Sequence, residues 1–247
     1  VILKELEDEN GVQYVSARKE SDQVSLDAIG EDLSKIDKYY DFGCRHAMLT
    51  WNEANALGAG ALSGQSYGLT AAGKEAAKLI QAKGMLLDVS HLNDAGFWDI
   101  VKLAKKPIVA SHSNSRVMCD VPRNLTDDQL RAIRDLDGVV GLNSFNIFVD
   151  HDPAKQTVEN LARHAEHMID IMGIDHVGCG FDFFEFIEDE ETMGSMAASS
   201  TPAVKGMDDA SQIPNLFKVF EKMGLSQEER DKIARLNFQA VVKKTIG

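Results

Sequence analysis

Residues 85–93 read Met-Leu-Leu-Asp-Val-Ser-His-Leu-Asn, an apolar run that passes straight into an Asp, a Ser and a His. A strand with one wet face alternates apolar and polar residues, whereas a strand covered on both faces, as in a helix-flanked parallel sheet, is apolar without interruption. This segment is of the second kind, and β-rich runs recur at residues 44–50, 107–111, 139–144 and 176–183. The stretches between them carry helix-end signals. Thr70 can cap a helix that Gly84 stops in the left-handed conformation. Thr126 and Gln129 form a capping box before Leu130, Ile133 and Leu136. Pro153 suits a first helical turn, followed by the stripe Val158, Leu161, Ala165, Met168, Ile169 and Met172 up to Gly173. Ser226 and Glu229 form a second capping box, ahead of Ile233, Leu236 and Val241. Strand and helix alternating in this way predict an α/β fold with a parallel sheet.

The chain has 247 residues, enough for one barrel or open-sheet domain, and 44% of them are hydrophobic. Its formal charge of −13 argues against nucleic acid or an anionic membrane as partner, because both require a cationic face. No apolar run approaches the roughly 18 residues of a membrane span, and no basic leader precedes an apolar segment. Cys44, Cys119 and Cys179 are odd in number and scattered, so a disulfide framework and a structural zinc site are not expected. A reducing, cytoplasmic setting is the expectation.

Polar residues gather where the runs end: Trp51-Asn52-Glu53, His91, His112, Asn143-Ser144 and Asp182. In a parallel α/β barrel the C-terminal ends of the strands share one face, so these side chains would meet there. A single His at a strand end is ordinarily a backbone-bonded cap. Two imidazoles and a carboxylate at successive ends instead suit a divalent metal, with the carboxylate orienting or deprotonating water. Arg123, in the loop after His112, could grip a carboxylate through two parallel hydrogen bonds or form an ordinary loop ion pair. His164 and His167 lack the His-Glu-x-x-His pattern and read as a solvated helix edge. The glycines of 58–64 read as a flexible loop without a phosphate-binding fingerprint. Residues 1–26 are charged and weakly patterned. Residues 184–212, with the acidic run Glu185 to Glu191, read as a mobile loop or lid.

Several motifs, in register, resemble the renal or membrane dipeptidase family of zinc peptidases: Leu-Leu-Asp-Val-Ser-His (86–91), Val-Ala-Ser-His-Ser-Asn-Ser-Arg (109–116), Arg-Asn-Leu-Thr-Asp-Asp (123–128), Val-Gly-Leu-Asn (140–143) and His-Val-Gly-Cys-Gly-Phe-Asp-Phe (176–183). Ala-Ile-Gly-Glu-Asp-Leu (28–33), His-Ala-Met-Leu-Thr-Trp-Asn (46–52), Pro-Asn-Leu (214–216) and Leu-Asn-Phe (236–238) extend the match from about residue 27 to the end. The resemblance implies a TIM-like (β/α)8 barrel of the amidohydrolase type, a single domain over 1–247, and two zinc ions bridged by a glutamate and a hydroxide. By the same resemblance His91 and His112 hold the second zinc. Asp182 hydrogen-bonds the hydroxide and shuttles its proton, Arg123 binds the C-terminal carboxylate of a dipeptide, and Trp51 stands where some members carry a carbonyl-polarising histidine. The implied reaction is cleavage of dipeptides by a zinc-activated hydroxide, with a homodimer as an open assembly.

The family's His-x-Asp pair has no counterpart, since His46 is the first histidine, and Val24-Ser25-Leu26 runs into Asp27 where a Glu-Gly step carries the bridging glutamate. The expectation is that the barrel's first strands and these ligands are missing on the N-terminal side. Hydrolysis of another amide or a lactone, and a metal-poor binding relic, are the alternatives.

Overall fold

The computed structural model describes residues 2–7, 13–18, 26–183 and 203–247. It falls into two compact units, Val1–Val109 with Val241–Gly247, and Ala110–Ala240.

In the first unit, β1 (Ile2–Glu7) and β2 (Gln13–Arg18) pair antiparallel, with Ile2 opposite Arg18 and Glu7 opposite Gln13. Sequence patterning marked no strand here, because a backbone ladder can form along a charged run that has no apolar signature. The parallel strands follow in sequence order: β3 (His46–Met48), β4 (Leu86–Asp88) and β5 (Ile108–Ala110). Ala47 lies opposite Leu87, and Leu87 opposite Ile108. All residues of β4 and β5 are buried, as the unbroken apolar runs predicted. Helix α1 (Ser34–Asp41) precedes β3, and α2 (Ala71–Ala82) and α3 (Asp94–Leu103) separate the strands that follow. Thr70 Oγ1 caps α2 by accepting from Gly73 N, and Gly84 closes the helix at φ 76°. Helix α2 buries Gly73, Ala76, Ala77, Ile80 and Gln81, one face at helical spacing. Ile80 is fully buried and contributes about 1.5–3 kcal/mol of apolar burial.

The second unit holds β6 (Val139–Leu142) and β7 (Val177–Cys179), parallel, with Gly141 opposite Gly178. Helix α4 (Asp127–Asp135) opens on the expected Thr126–Gln129 capping box. Helix α5 (Val158–Met172) starts later than Pro153 suggested. Pro153–Lys155 is a separate 3-10 turn, and Thr157 Oγ1 takes the Asn160 amide as the true N-cap. Helix α6 (Ile213–Lys222), α7 (Gln227–Asp231) on its Ser226–Glu229 box, a π-helical turn at Lys232–Leu236 and α8 (Asn237–Ile246) complete the chain. Asn237 Nδ2 donates to Ile174 O and Val177 O at 2.7 Å each, anchoring the start of α8 to β7.

The strands are shorter than their apolar runs because polar residues at the ends turn the chain. Asp88 Oδ1 accepts from Ser90 N at 3.0 Å, and Asn143 Oδ1 from Phe145 N at 2.7 Å, both local turns that replace the ladder. Glycine is required where β6 and β7 end. A Cβ on Gly141 would lie 2.1 Å from Ser111 O and one on Gly180 1.6 Å from the same oxygen. The acidic run 185–191 and most of the expected lid lie outside the described residues. In the described part of that segment Val204 and Met207 are fully buried and Phe145 is bridged to Ala203, while Lys205, Gly206 and Asp208 are exposed. The fold is α/β with five parallel strands. A closed eight-stranded ring is not found among the described residues.

Candidate functional site

The first unit positions Trp51 and His91. Asp88, fully buried on β4, accepts from the Ser90 amide and from Ser90 Oγ at 2.7 Å, and the turn so formed delivers His91. His91 Nδ1 is 3.0 Å from Asn52 Oδ1. That oxygen can only accept, so Nδ1 bears the proton. Metal-binding imidazoles take this form, with the second nitrogen fixed by an outer acceptor. The Trp51 ring stacks on His91, with centroids 5.8 Å apart and planes inclined at 26°. Ala61 N donates to His91 O at 2.8 Å, and Leu62 N to Asn52 O at 2.9 Å.

Within the segment 58–64, residues 58–60 are buried and bridged, unlike the flexible loop expected, while Leu62 and Gly64 are exposed. Backbone bridges join Ala54 to Ala59, Gly58 to Leu69 and Gly60 to Leu92. A Cβ on Gly60 would lie 2.1 Å from Trp51 O, so small residues here permit close backbone approach, a reading that composition alone does not distinguish from mobility. His46 Nε2 meets Asp88 Oδ2 at 2.8 Å. Burial opposes its charged form, but the Asp88 hydrogen bond and charge outweigh that and raise its pKa above the ordinary imidazole value.

The second unit positions His112, Arg123 and Asp182. His112 Nδ1 is 2.7 Å from Ser111 Oγ, and its Nε2 is 3.9 Å from Asp182 Oδ2. That gap is too long for a hydrogen bond. Asp182 sits at φ 59°, a left-handed backbone that raises the energy of a non-glycine residue by about 1–3 kcal/mol. Such strain persists where the surroundings dictate it, and functional sites are enriched in it.

Arg123 is 3% exposed, with its guanidinium carbon 5.5 Å from the Phe148 ring centroid. Three fully buried asparagines fix its loop. Asn124 Nδ2 donates to Phe148 O at 2.8 Å and to Cys119 O at 2.9 Å. Its Oδ1 accepts from Asn114 N at 3.2 Å. Asn114 in turn donates to Asn143 O at 2.9 Å and accepts from Asn143 N at 3.0 Å. Asn114 and Asn124 were not singled out in the sequence. Their one available signal was polarity inside segments that had to be buried.

His164 corrects the solvated-edge reading: it is 1% exposed. It lies on the α5 stripe, three residues after Leu161 and four before Met168, a placement the periodicity contained. Its Nε2 donates to Val149 O at 2.8 Å, and its Nδ1 accepts from Ser115 N at 3.2 Å. Burial pulls its pKa down to about 4. His167 is partly buried and pairs with Asp127 at 2.8 Å. The cysteines form no disulfide. Burial pushes the Cys119 thiol up to about 11 and the Cys179 thiol up to about 12, so neither is a thiolate nucleophile at neutral pH. Among the described residues no three His, Cys, Asp or Glu side chains converge as a complete metal cage, and no helix is long and apolar enough to cross a membrane.

Residues 24–246 match the family model described as membrane dipeptidase, peptidase family M19. The chain belongs to the membrane dipeptidase family. Among relatives of this dipeptidase family member, an uncharacterized protein in the pqqA 5' region of Klebsiella pneumoniae is 36% identical, over 88% of this chain and 77% of its own length. An uncharacterized dipeptidase of Schizosaccharomyces pombe is 30% identical over 89% of this chain. A Rhodobacter sphaeroides metallo peptidase, solved with a phosphinate mimic of the dipeptide L-Ala-D-Ala, superposes with a TM-score of 0.78 at 30% identity over 90% of this chain. The chain spans 51% of the yeast protein and 61% of the Rhodobacter one. Family membership carries metal dependence as a class property, and the α/β fold with parallel strands agrees with these neighbours.

Proposed function

We propose that this chain belongs to a zinc-dependent dipeptidase, a single barrel domain in the cytoplasm that hydrolyses dipeptides bearing a free C-terminal carboxylate. The observation that carries the reading is Asp182, held in left-handed backbone with its carboxylate beside His112. The donor chemistry suits zinc: His91, with its Nδ1 proton fixed on Asn52, and His112 are the ligand residues in this reading. Zinc, two ions in the complete site, would supply Lewis acidity and acidify water at neutral pH when held there. Asp182 Oδ2 takes the proton of the attacking water and returns it to the leaving amine nitrogen. Arg123 grips the carboxylate, with Phe148 beneath its guanidinium. Trp51 packs on His91 and bounds the space for the substrate side chain. The dipeptide mimic bound to the Rhodobacter relative supports the substrate class.

Steady-state hydrolysis of a dipeptide panel by the complete protein tests this reading. His112→Ala and Asp182→Asn are expected to abolish turnover, and near-normal rates in either variant refute it.

A further inference from the structure

Asn143 carries a donor that no described residue accepts from. The Phe145 amide donates to its Oδ1 at 2.7 Å, and an N–H needs an oxygen there, so the orientation of the carboxamide is settled and Nδ2 is the other group. Asn143 is fully buried, yet Nδ2 has no partner among the described residues. Buried amide N–H groups nearly always meet an acceptor, so this one calls for an acceptor that the described residues do not supply. Two residues earlier, a Cβ on Gly141 would run into Ser111 O. Asn143 directly follows β6, whose Gly141 O accepts at 2.8 Å from the amide of Ser113, the residue after His112. The amide is also coupled to the Arg123 loop. Asn143 N donates to Asn114 Oδ1, and Asn114 N donates to Asn124 Oδ1, the residue adjoining Arg123.

We propose that Asn143 Nδ2 donates a hydrogen bond to the C-terminal carboxylate of the dipeptide, beside the Arg123 guanidinium. The inference rests on the dipeptidase reading above. A carboxylate has about four lone-pair sites, enough for a two-pronged arginine and an amide together. The asparagine chain holds both donors in one rigid frame, so the anionic end of the substrate is read by position as well as by charge.

Asn143→Asp keeps an oxygen for the Phe145 amide but exchanges the donor for a negative charge, so Asn143→Ala, which removes the donor without adding charge, is assayed beside it and must show the same loss. The metal-loaded complete protein is assayed with alanyl-alanine and with alanyl-alanine amide, alongside thermal melting. The expected result is a KM for the free acid raised about 10–100-fold, the loss of one hydrogen bond to a charged group, with kcat little changed. The amide substrate is expected to change by less than about threefold, since it carries no anion for Asn143 to read. An unchanged KM with a lowered melting temperature overturns the proposal, because the acceptor is then a buried water. An equal loss on both substrates overturns it too, by moving the contact away from the carboxylate. If wild-type protein hydrolyses no dipeptide of a panel, the dipeptidase reading falls and this proposal with it. Wild-type turnover with an unaltered Asn143→Asp overturns this proposal alone.

Discussion

Acidification should weaken the second unit through His164. The folded ring is neutral, donating to Val149 O and accepting from Ser115 N, and burial holds its pKa at about 4. In the unfolded chain the same imidazole titrates near 6.5. Between these values the unfolded state binds one more proton, so unfolding becomes easier as pH falls, and above about 6.5 the term vanishes. At about 1.4 kcal/mol per unit, the loss is about 2 kcal/mol by pH 5 and about 3 kcal/mol by pH 4. Protonation would also set an N–H against the Ser115 N–H, at the base of the loop that carries Arg123. The weaker charge effects of His167 and Asp150 remain in any His164 variant. His164→Gln keeps one donor and one acceptor in place of the ring and removes the titration. Urea unfolding of both proteins at pH 7.5, 5 and 4 should show the wild type losing about 3 kcal/mol more than the variant over that range. Parallel pH curves for the two proteins would mean that His164 is accessible to protons in the folded state, and the reasoning would fail.

Two further outcomes follow from single contacts. Asn52→Ala removes the acceptor that fixes the His91 tautomer, and zinc competition against a chelator should show affinity weakened about 10–100-fold; unchanged affinity would remove His91 from the ligand set. Thr126→Ala removes the α4 N-cap and should lower stability by about 1 kcal/mol in denaturant titration, whereas no change would mean that the Gln129 side chain alone holds the helix start.

The alternation of strands and helices was readable because burial on both faces writes an unbroken apolar run, and because Thr70, Thr126 and Ser226 cap where capping chemistry demands. Strand lengths were not readable. The regular strands end at Asp88 and Leu142, where the side chains of Asp88 and Asn143 bond backbone two residues on, and a run of hydrophobicity does not report that choice. The strand-end residues stood out as polar groups in apolar surroundings. What periodicity alone underweighted was polar burial: His164 sits on an apolar helix stripe, and Asn114 and Asn124 fill the interior with amide contacts. Residues 58–60 depart from the loop reading because glycine marks both mobility and close packing, and the bridges at Gly58 and Gly60 separate the two.

Gly141 and Gly180 lie against one oxygen, Ser111 O, with no room for a methyl group on either. The next residue after Ser111 is His112, and Asp182 follows Gly180 by two. An alanine at either glycine would shift those two side chains together, and on the proposed dipeptidase reading turnover would fall as expected for Asp182→Asn. A mutational scan scored by activity would enter both among the residues that do chemistry. A scan scored by melting temperature would sort them out, and directed evolution of this mouth would have to leave that carbonyl untouched while varying everything around it.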